Sequence, residues 1–207
     1  MLYNITNIES EKLDQLLQTA EEKVDLSNYY YQENFFSQEE IDKIINQTES
    51  KTYRATTFSG SNESFRKSNI AWINPLEDNI DNSWLFKKIA ELTFAANNQI
   101  YGFDIYGMFE SIQYTVYDGS EEGFYCAHVD HGKNYYKRKL SVVVQLSDPD
   151  NYSGGDLLLH TKSSPHVMPK GLGTTVIFPS WMLHEVTPVT GGVRRSLVSW
   201  VSGPPFK

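Results

Sequence analysis

YTVYDGSEEGFYCAHVD, residues 114–130, is the stretch on which the reading of this chain turns. Its tail is a His-x-Asp, His128 and Asp130, set among aromatic and β-branched residues that favour a strand. Side chains two apart in a strand project from one face, so these two can converge, whereas His131 points the other way. An imidazole and a carboxylate side by side make a two-toothed grip for a divalent metal. A third ligand would complete two histidines and one carboxylate on one face of an octahedron, which leaves positions open and suits non-haem Fe(II) and oxygen chemistry. Far downstream, His184 and Arg194 are read together with this stretch.

The surroundings suit such a site. From Ile105 onward the apolar period is two and turn residues recur, which signals an all-β body. Strands are expected at Met108 to Tyr117, Phe124 to Val129, Leu140 to Leu146, Asp156 to His160, Thr174 to Phe178, His184 to Val189 and Arg194 to Val201. Turns are expected at Asp118-Gly119, Asp148-Pro149, Ser153 to Gly155, Gly171 to Gly173 and Gly191-Gly192. Upstream the period is helical. Helices are expected at Ile5 to Val24, at Gln38 to Thr48 behind the capping box Ser37-x-x-Glu40, and at Ser83 to Ile100, ended by Gly102. Tyr29 to Tyr31 reads as a short strand, and Ser59 to Asn62 as a flexible turn with Arg66 and Lys67 just after it. The expected fold is mainly β with N-terminal helices: a double-stranded β-helix (jelly roll, cupin-like) flanked by α-helices. One domain, 1–207, is expected, with a helical and lid support region at 1–104 and the jelly-roll core at 105–202.

Length and charge narrow the function. At 207 residues the chain can bury a real core, and its formal charge of −8 makes nucleic acid a poor partner. Cys126 is the only cysteine, so no internal disulfide can form; it reads as a small buried side chain. No apolar run approaches the ~20 residues needed to cross a bilayer, and no leader is visible, so a cytoplasmic protein with no membrane partner is expected.

His128-x-Asp130, then His184, then Arg194 ten residues later, followed by Ser196 and Trp200, resembles the 2-oxoglutarate and Fe(II) dependent oxygenases. The prolyl 4-hydroxylase-like branch is the closest in pattern, over roughly Phe103 to Trp200. Supporting pieces are Tyr117, Gly123 and Tyr125 leading into the His-x-Asp, the Gly154-Gly155-Asp156-Leu157 turn, and Phe178-Pro179 before His184. The Asp118 to Glu122 loop is about two residues longer than the family pattern. Arg194 stands where collagen-type prolyl hydroxylases tend to carry lysine, which argues against a collagen-like substrate.

The resemblance implies His128, Asp130 and His184 as ligands of Fe(II), with 2-oxoglutarate and O2 as cosubstrates and ascorbate as a candidate reductant. It implies oxidative decarboxylation to succinate and CO2, coupled to hydroxylation of an unactivated C–H bond in a prolyl or other residue of a peptide or protein. Arg194 would hold the far carboxylate, since a guanidinium offers paired donors to its two oxygens, and Tyr117 would add a hydrogen bond. Adjacent strand residues face opposite ways, so one of Arg194 and Arg195 points inward. Periodicity alone does not say which, and the spacing from His184, a family feature, selects Arg194.

Tyr125, Trp181 and Arg66 are candidate substrate contacts, and Lys133 to Lys139 could form a basic rim or a solvated loop. His131, His160 and His166 read as surface or loop residues. Three neighbouring chemistries fit less well. Nucleic-acid demethylation is disfavoured by the acidic balance and by Trp200, halogenation by Asp130, and zinc hydrolysis by having no need of Arg194. A related oxygenase acting on a small molecule, or a non-catalytic jelly-roll binding module, is the alternative.

Overall fold

The computed structural model describes residues 3–4, 29–56, 63–77, 80–161 and 164–205. The expected helix Ile5 to Val24 and the Ser59 to Asn62 turn lie outside them. Strands β1 (Tyr3–Asn4) and β2 (Tyr30–Gln32) precede helix α1 (Gln38–Thr48). Then come β3 (Tyr53–Arg54), β4 (Arg66–Lys67), β5 (Asn69–Ile73), the paired β6 (Leu76–Glu77) and β7 (Ile80–Asp81), and helix α2 (Ser83–Ala96). The β body follows: β8 (Gly107–Met108), β9 (Ile112–Asp118), β10 (Phe124–His128), β11 (Arg138–Gln145), β12 (Tyr152–Gly154) and β13 (Leu157–His160). It closes with β14 (Pro165–Val167), β15 (Thr175–Pro179), β16 (His184–Val186) and β17 (Val189–Ser202).

Two antiparallel sheets carry the site. The larger runs β2-β15-β11-β17-β9-β5-β3, and the smaller runs β14-β13-β16-β10-β4. Strand alternation gives the large sheet two different faces. Leu140, Val142, Val144, Leu197, Val201, Ile112 and Tyr114 pack with Ile41 and Ile44 of α1 and Leu85, Ile89 and Leu92 of α2 in one core. Val143, Tyr117, Val176 and Phe178, on the other face, pack with Leu157, Leu159 and Val186 of the small sheet in a second core. The jelly roll with flanking helices is therefore observed.

Helix α1 starts where the capping box places it. Ser37 Oγ accepts from the Glu40 amide at 3.3 Å and Glu40 Oε2 accepts from the Ser37 amide at 2.9 Å, so two orphan donors are satisfied. Helix α2 ends in a π-turn over Asn97–Tyr101 that Gly102 closes at φ 62. No helix among the described residues is long and apolar enough to cross a membrane.

Several boundaries differ from the sequence reading. The expected Met108 to Tyr117 strand is two strands, β8 and β9. Strands β12 and β14 were not expected; β2 is the strand expected at Tyr29 to Tyr31, and with β3 and β5 it extends the large sheet from the region upstream of the jelly-roll core. Gly191-Gly192 is not a turn. Both lie inside β17, paired with Ser153 and Tyr152, and the chain changes sheet earlier, at Thr187-Pro188, where proline cannot donate to a ladder. Gly192 sits at φ 69, and a Cβ there would lie 2.1 Å from the Asn151 carbonyl oxygen. Replacing Gly192 with alanine therefore combines left-handed strain with a backbone clash, and should lower unfolding free energy by about 2 kcal/mol or more. Urea denaturation of G192A beside the parent chain measures it.

Candidate metal centre and carboxylate pocket

The two sheets enclose a cavity of about 700 Å³, lined by Arg66, Tyr117, Tyr125, Arg138 and Trp200 and by four residues singled out from sequence: His128, Asp130, His184 and Arg194. His128 and His184 are direct cross-strand partners on β10 and β16, which puts both imidazoles on one face. Their rings stand 4.2 Å apart. Asp130 lies just beyond the end of β10, so strand alternation does not aim it as expected. Instead the amides of Asp130 and His131 both donate to the Ser180 carbonyl, each at 2.9 Å, and this pinned turn brings the carboxylate under the rings. One ligand atom from each of His128, Asp130 and His184 lies within 4.8 Å of the others. Asp130 Oδ1 is 3.8 Å from His128 Nε2, and Oδ2 is 3.5 Å from His184 Nε2.

Hydrogen bonds outside the trio orient it for a cation. Nδ1 of His128 faces the Cys126 carbonyl at 2.8 Å and Nδ1 of His184 faces the Met182 carbonyl at 2.9 Å. A carbonyl only accepts, so each Nδ1 carries the hydrogen and each Nε2 lone pair is left for a metal. Ser141 Oγ donates to Asp130 Oδ2 at 2.7 Å and lies 3.0 Å from Ser180 Oγ. Two imidazoles, a fixed carboxylate and open space beside them fit a divalent ion with exchangeable positions.

Burial pushes the Asp130 carboxyl up, but the two imidazoles and the Ser141 hydroxyl outweigh it and hold it below its ordinary value. Burial first, then the neighbouring His184, pushes His128 down to about 4.

Arg194 is 1% exposed. It is the cross-strand partner of Tyr117, with its guanidinium carbon 5.3 Å from that ring's centre. The long Asp118 to Glu122 loop is absorbed by a 3-10 turn over Gly119–Glu121, so Tyr117 stays opposite Arg194. Arg195 faces the other way, its Nε and Nη2 donating to Glu49 at 2.9 and 2.8 Å. Ser196, Val198 and Trp200 share the cavity side with Arg194.

The candidate substrate contacts divide. Arg66 is buried, its guanidinium carbon 4.5 Å above the Tyr125 ring, and Tyr125 stacks on His128 with centroids 3.6 Å apart. This three-layer stack forms one cavity wall. Trp181 does not line the cavity; it is 44% exposed and its ring lies 5.2 Å from that of Phe103.

The basic stretch also needs correction. Arg138 is not a solvated rim residue but a buried one, bonded to Glu110 and placed between the Tyr135 and Trp200 rings at 3.9 and 3.7 Å. Lys139 is buried too. Cys126 is half-buried, its thiol 3.7 Å from the Ser64 carbonyl. His131, His160 and His166 bond the Arg138 carbonyl, Glu185 and Tyr29, all outside the trio. Ser141, Ser180 and Gln145 were missed from sequence. Ser141 and Gln145 had left a signal, as polar residues two apart with Val143 along an apolar strand.

Comparison with known proteins agrees with this geometry. Residues 112–202 match the family described as the 2OG-Fe(II) oxygenase superfamily. The PKHD-type hydroxylase YbiX of Escherichia coli O1:K1 is 33% identical over 105 residues, 51% of this chain and 39% of that protein. A PKHD-type hydroxylase of Rippkaea orientalis is 32% identical over 81 residues, 37% of this chain and 36% of that protein. The matches thus span about two fifths or less of those relatives' lengths. In fold, a Pseudomonas putida prolyl-4-hydroxylase superposes with TM-score 0.71 at 20% identity, covering 92% of this chain and 98% of the other. A Trichoplax adhaerens prolyl hydroxylase, solved in complex with a hypoxia inducible factor oxygen degradation domain peptide fragment, gives TM-score 0.77 at 19% identity, covering 96% and 95%. Over residues 112–202 the chain is thus similar to the 2OG-Fe(II) oxygenase superfamily. In fold it is similar to the solved prolyl hydroxylases over nearly its whole length.

The lowered His128 makes a pH prediction. An unfolded chain protonates this histidine near 6.5, whereas the folded, metal-free protein resists protonation until about 4. Between those values the unfolded state binds more protons. Stability is therefore full above pH 6.5 and falls as pH drops, by about 2 kcal/mol at pH 5. Urea denaturation of metal-free protein at pH 7 and pH 5 should show this loss, and H128Q should remove most of the pH dependence.

Proposed function

We propose that the chain is a 2-oxoglutarate and Fe(II) dependent dioxygenase that hydroxylates a C–H bond in a prolyl or other residue of a peptide or protein, releasing succinate and CO2. The observation that carries this reading is the meeting, in one cavity, of a two-histidine, one-carboxylate trio with a buried guanidinium that has no ion pair among the described residues. His128, Asp130 and His184 would hold the iron. Arg194 and the Tyr117 hydroxyl would hold the far carboxylate of 2-oxoglutarate. When bound, iron and cosubstrate supply the oxidising chemistry with O2; this chain's own residues bind, orient and shield.

Asp130 offsets part of the ion's charge and is kept from rotating by Ser141. Arg194 would hold the far carboxylate of the diacid, a positioning contribution made before any bond changes. Tyr117, Val143, Leu157, Val186 and Val198 line the cavity between the sheets, keeping it poor in water and strengthening the charge interactions within. The volume of about 700 Å³ exceeds what a ten-heavy-atom diacid occupies, leaving room for a substrate segment against Arg66 and Tyr125. That neighbourhood, and the peptide partner of the Trichoplax relative, support a peptide or protein substrate. A reducing, cytoplasmic setting belongs to the same proposal, since Fe(II) must be loaded and retained.

Purified protein supplied with Fe(II), 2-oxoglutarate and ascorbate should form succinate slowly even without a prime substrate. D130A should lose both metal retention and succinate formation. R194M should keep the metal while its KM for 2-oxoglutarate rises about tenfold or more. Absence of succinate from the parent protein under all these conditions would refute the oxygenase reading, and retention of it by D130A would refute the ligand assignment.

A further inference from the structure

Gln145 is the residue in this cavity region whose chemistry asks for an explanation. It is 1% exposed, at the end of β11, and its Oε1 accepts a hydrogen bond from Arg194 Nη2 at 2.9 Å. Its Nε2 donates to the Pro169 carbonyl at 3.4 Å. The carbonyl of Pro169 only accepts, so the amide can present only its oxygen to Arg194. The other groups set against Arg194 are neutral as well: Ser196 Oγ at 3.4 Å from Nη1, and the Tyr117 ring. Even the aliphatic stem is accommodated by a missing side chain, since a Cβ on Gly155 would lie 2.9 Å from Arg194 Cδ.

Arg66, on another wall of the cavity, is likewise buried among neutral partners, Ser68 and the Tyr125 ring, but the other arginines nearby are treated differently. Arg195 is joined to Glu49, Arg138 to Glu110, and Arg54 to Glu63 and Glu121. Burying a guanidinium without a counter-charge is costly. A glutamate has the same size and shape as Gln145 and could accept the same hydrogen bond from Arg194 while neutralising it. Its second oxygen would meet the Pro169 carbonyl as acceptor against acceptor, but the 3.4 Å bond lost there is long and weighs less than the counter-charge gained, so folding alone would favour glutamate.

We propose that Gln145 sets the charge of the carboxylate pocket: by orienting Arg194 through a neutral acceptor, it keeps the guanidinium's charge available for a dianionic ligand at a cost in stability. Gln145 is a positioning residue, and this inference rests on the reading of Arg194 as the cosubstrate's anchor.

The test compares parent protein, Q145E and Q145M by thermal denaturation without ligand and by calorimetric titration of 2-oxoglutarate into anaerobic, Mn(II)-loaded protein. Q145E should melt above the parent and bind 2-oxoglutarate at least about tenfold more weakly, because its own carboxylate occupies the guanidinium. Q145M, which removes the acceptor without adding charge, should melt below the parent and lose only about two- to fivefold in affinity. Mn(II) affinity should be the same in all three. Q145E binding the diacid within about twofold of the parent overturns the proposal, as does a Q145E that melts below the parent or fails to fold. A parent protein that does not bind 2-oxoglutarate sinks the cosubstrate reading itself, and this inference with it. The two failures are therefore read from different proteins.

Discussion

The pairing of β17 between β9 and β11 is the constraint from which the rest of the molecule follows. Its register sets Arg194 against Tyr117 on one side and Ser196 against Gln145 on the other. Because successive residues alternate faces, that one register sends Arg194, Ser196, Val198 and Trp200 into the cavity and Leu197 and Val201 into the core beneath the helices. A slip by one residue would exchange the two sets. It would bury Arg195 between the sheets and turn Arg194 toward the helices. Contacts on both faces oppose such a slip. Glu49, at the end of α1, holds Arg195 with two hydrogen bonds and also takes the Tyr114 hydroxyl, while Gln145 receives Arg194 within.

The candidate metal end is built on a different principle. Two short strands of the small sheet supply the histidines as a cross-strand pair, but the carboxylate comes from a turn. Ser180 governs that turn. It accepts the amides of Asp130 and His131 and stands beside the Ser141 hydroxyl that fixes the carboxylate. Since Ser180 follows β15 and precedes β16 by only a few residues, one residue ties the His-x-Asp turn to the segment that leads into His184. Strands give direction at this site, and a bonded turn gives position. Small changes in either would move a ligand atom by the tenths of an ångström that coordination tolerates poorly.

Both ends share an electrostatic arrangement that folding alone would not favour. The trio crowds a carboxylate and two imidazoles within a few ångströms, and the far end buries a guanidinium among neutral groups. Each is a local cost offset by the two hydrophobic cores on either side of the large sheet. Functional sites are where such violations of local preference are expected to collect. Arg138, also buried, and half-buried Arg195 are paired with glutamates, so among the described residues of β17 Arg194 is the arginine without a carboxylate partner.

By itself the sequence determined what travels along the chain: the change of period at Ile105, the capping box at Ser37, the stop at Gly102, and the spacing of His128, Asp130, His184 and Arg194. These are local signals or intervals along the chain, readable without knowing which strands become neighbours. Only the tertiary structure decided what depends on a neighbour far away in sequence. Gly191-Gly192 read as a turn because glycine pairs usually mark one, yet here they let β17 lie close against Asn151 and Tyr152. Arg138 read as surface because it sits in a run of cations, yet Glu110 and two aromatic rings enclose it. Ser180 carries no motif at all, and Gln145 only a polar place along an apolar strand. Their importance arises when the sheets close and a carbonyl or an amide meets a partner dozens of residues distant, and no periodicity encodes such a meeting.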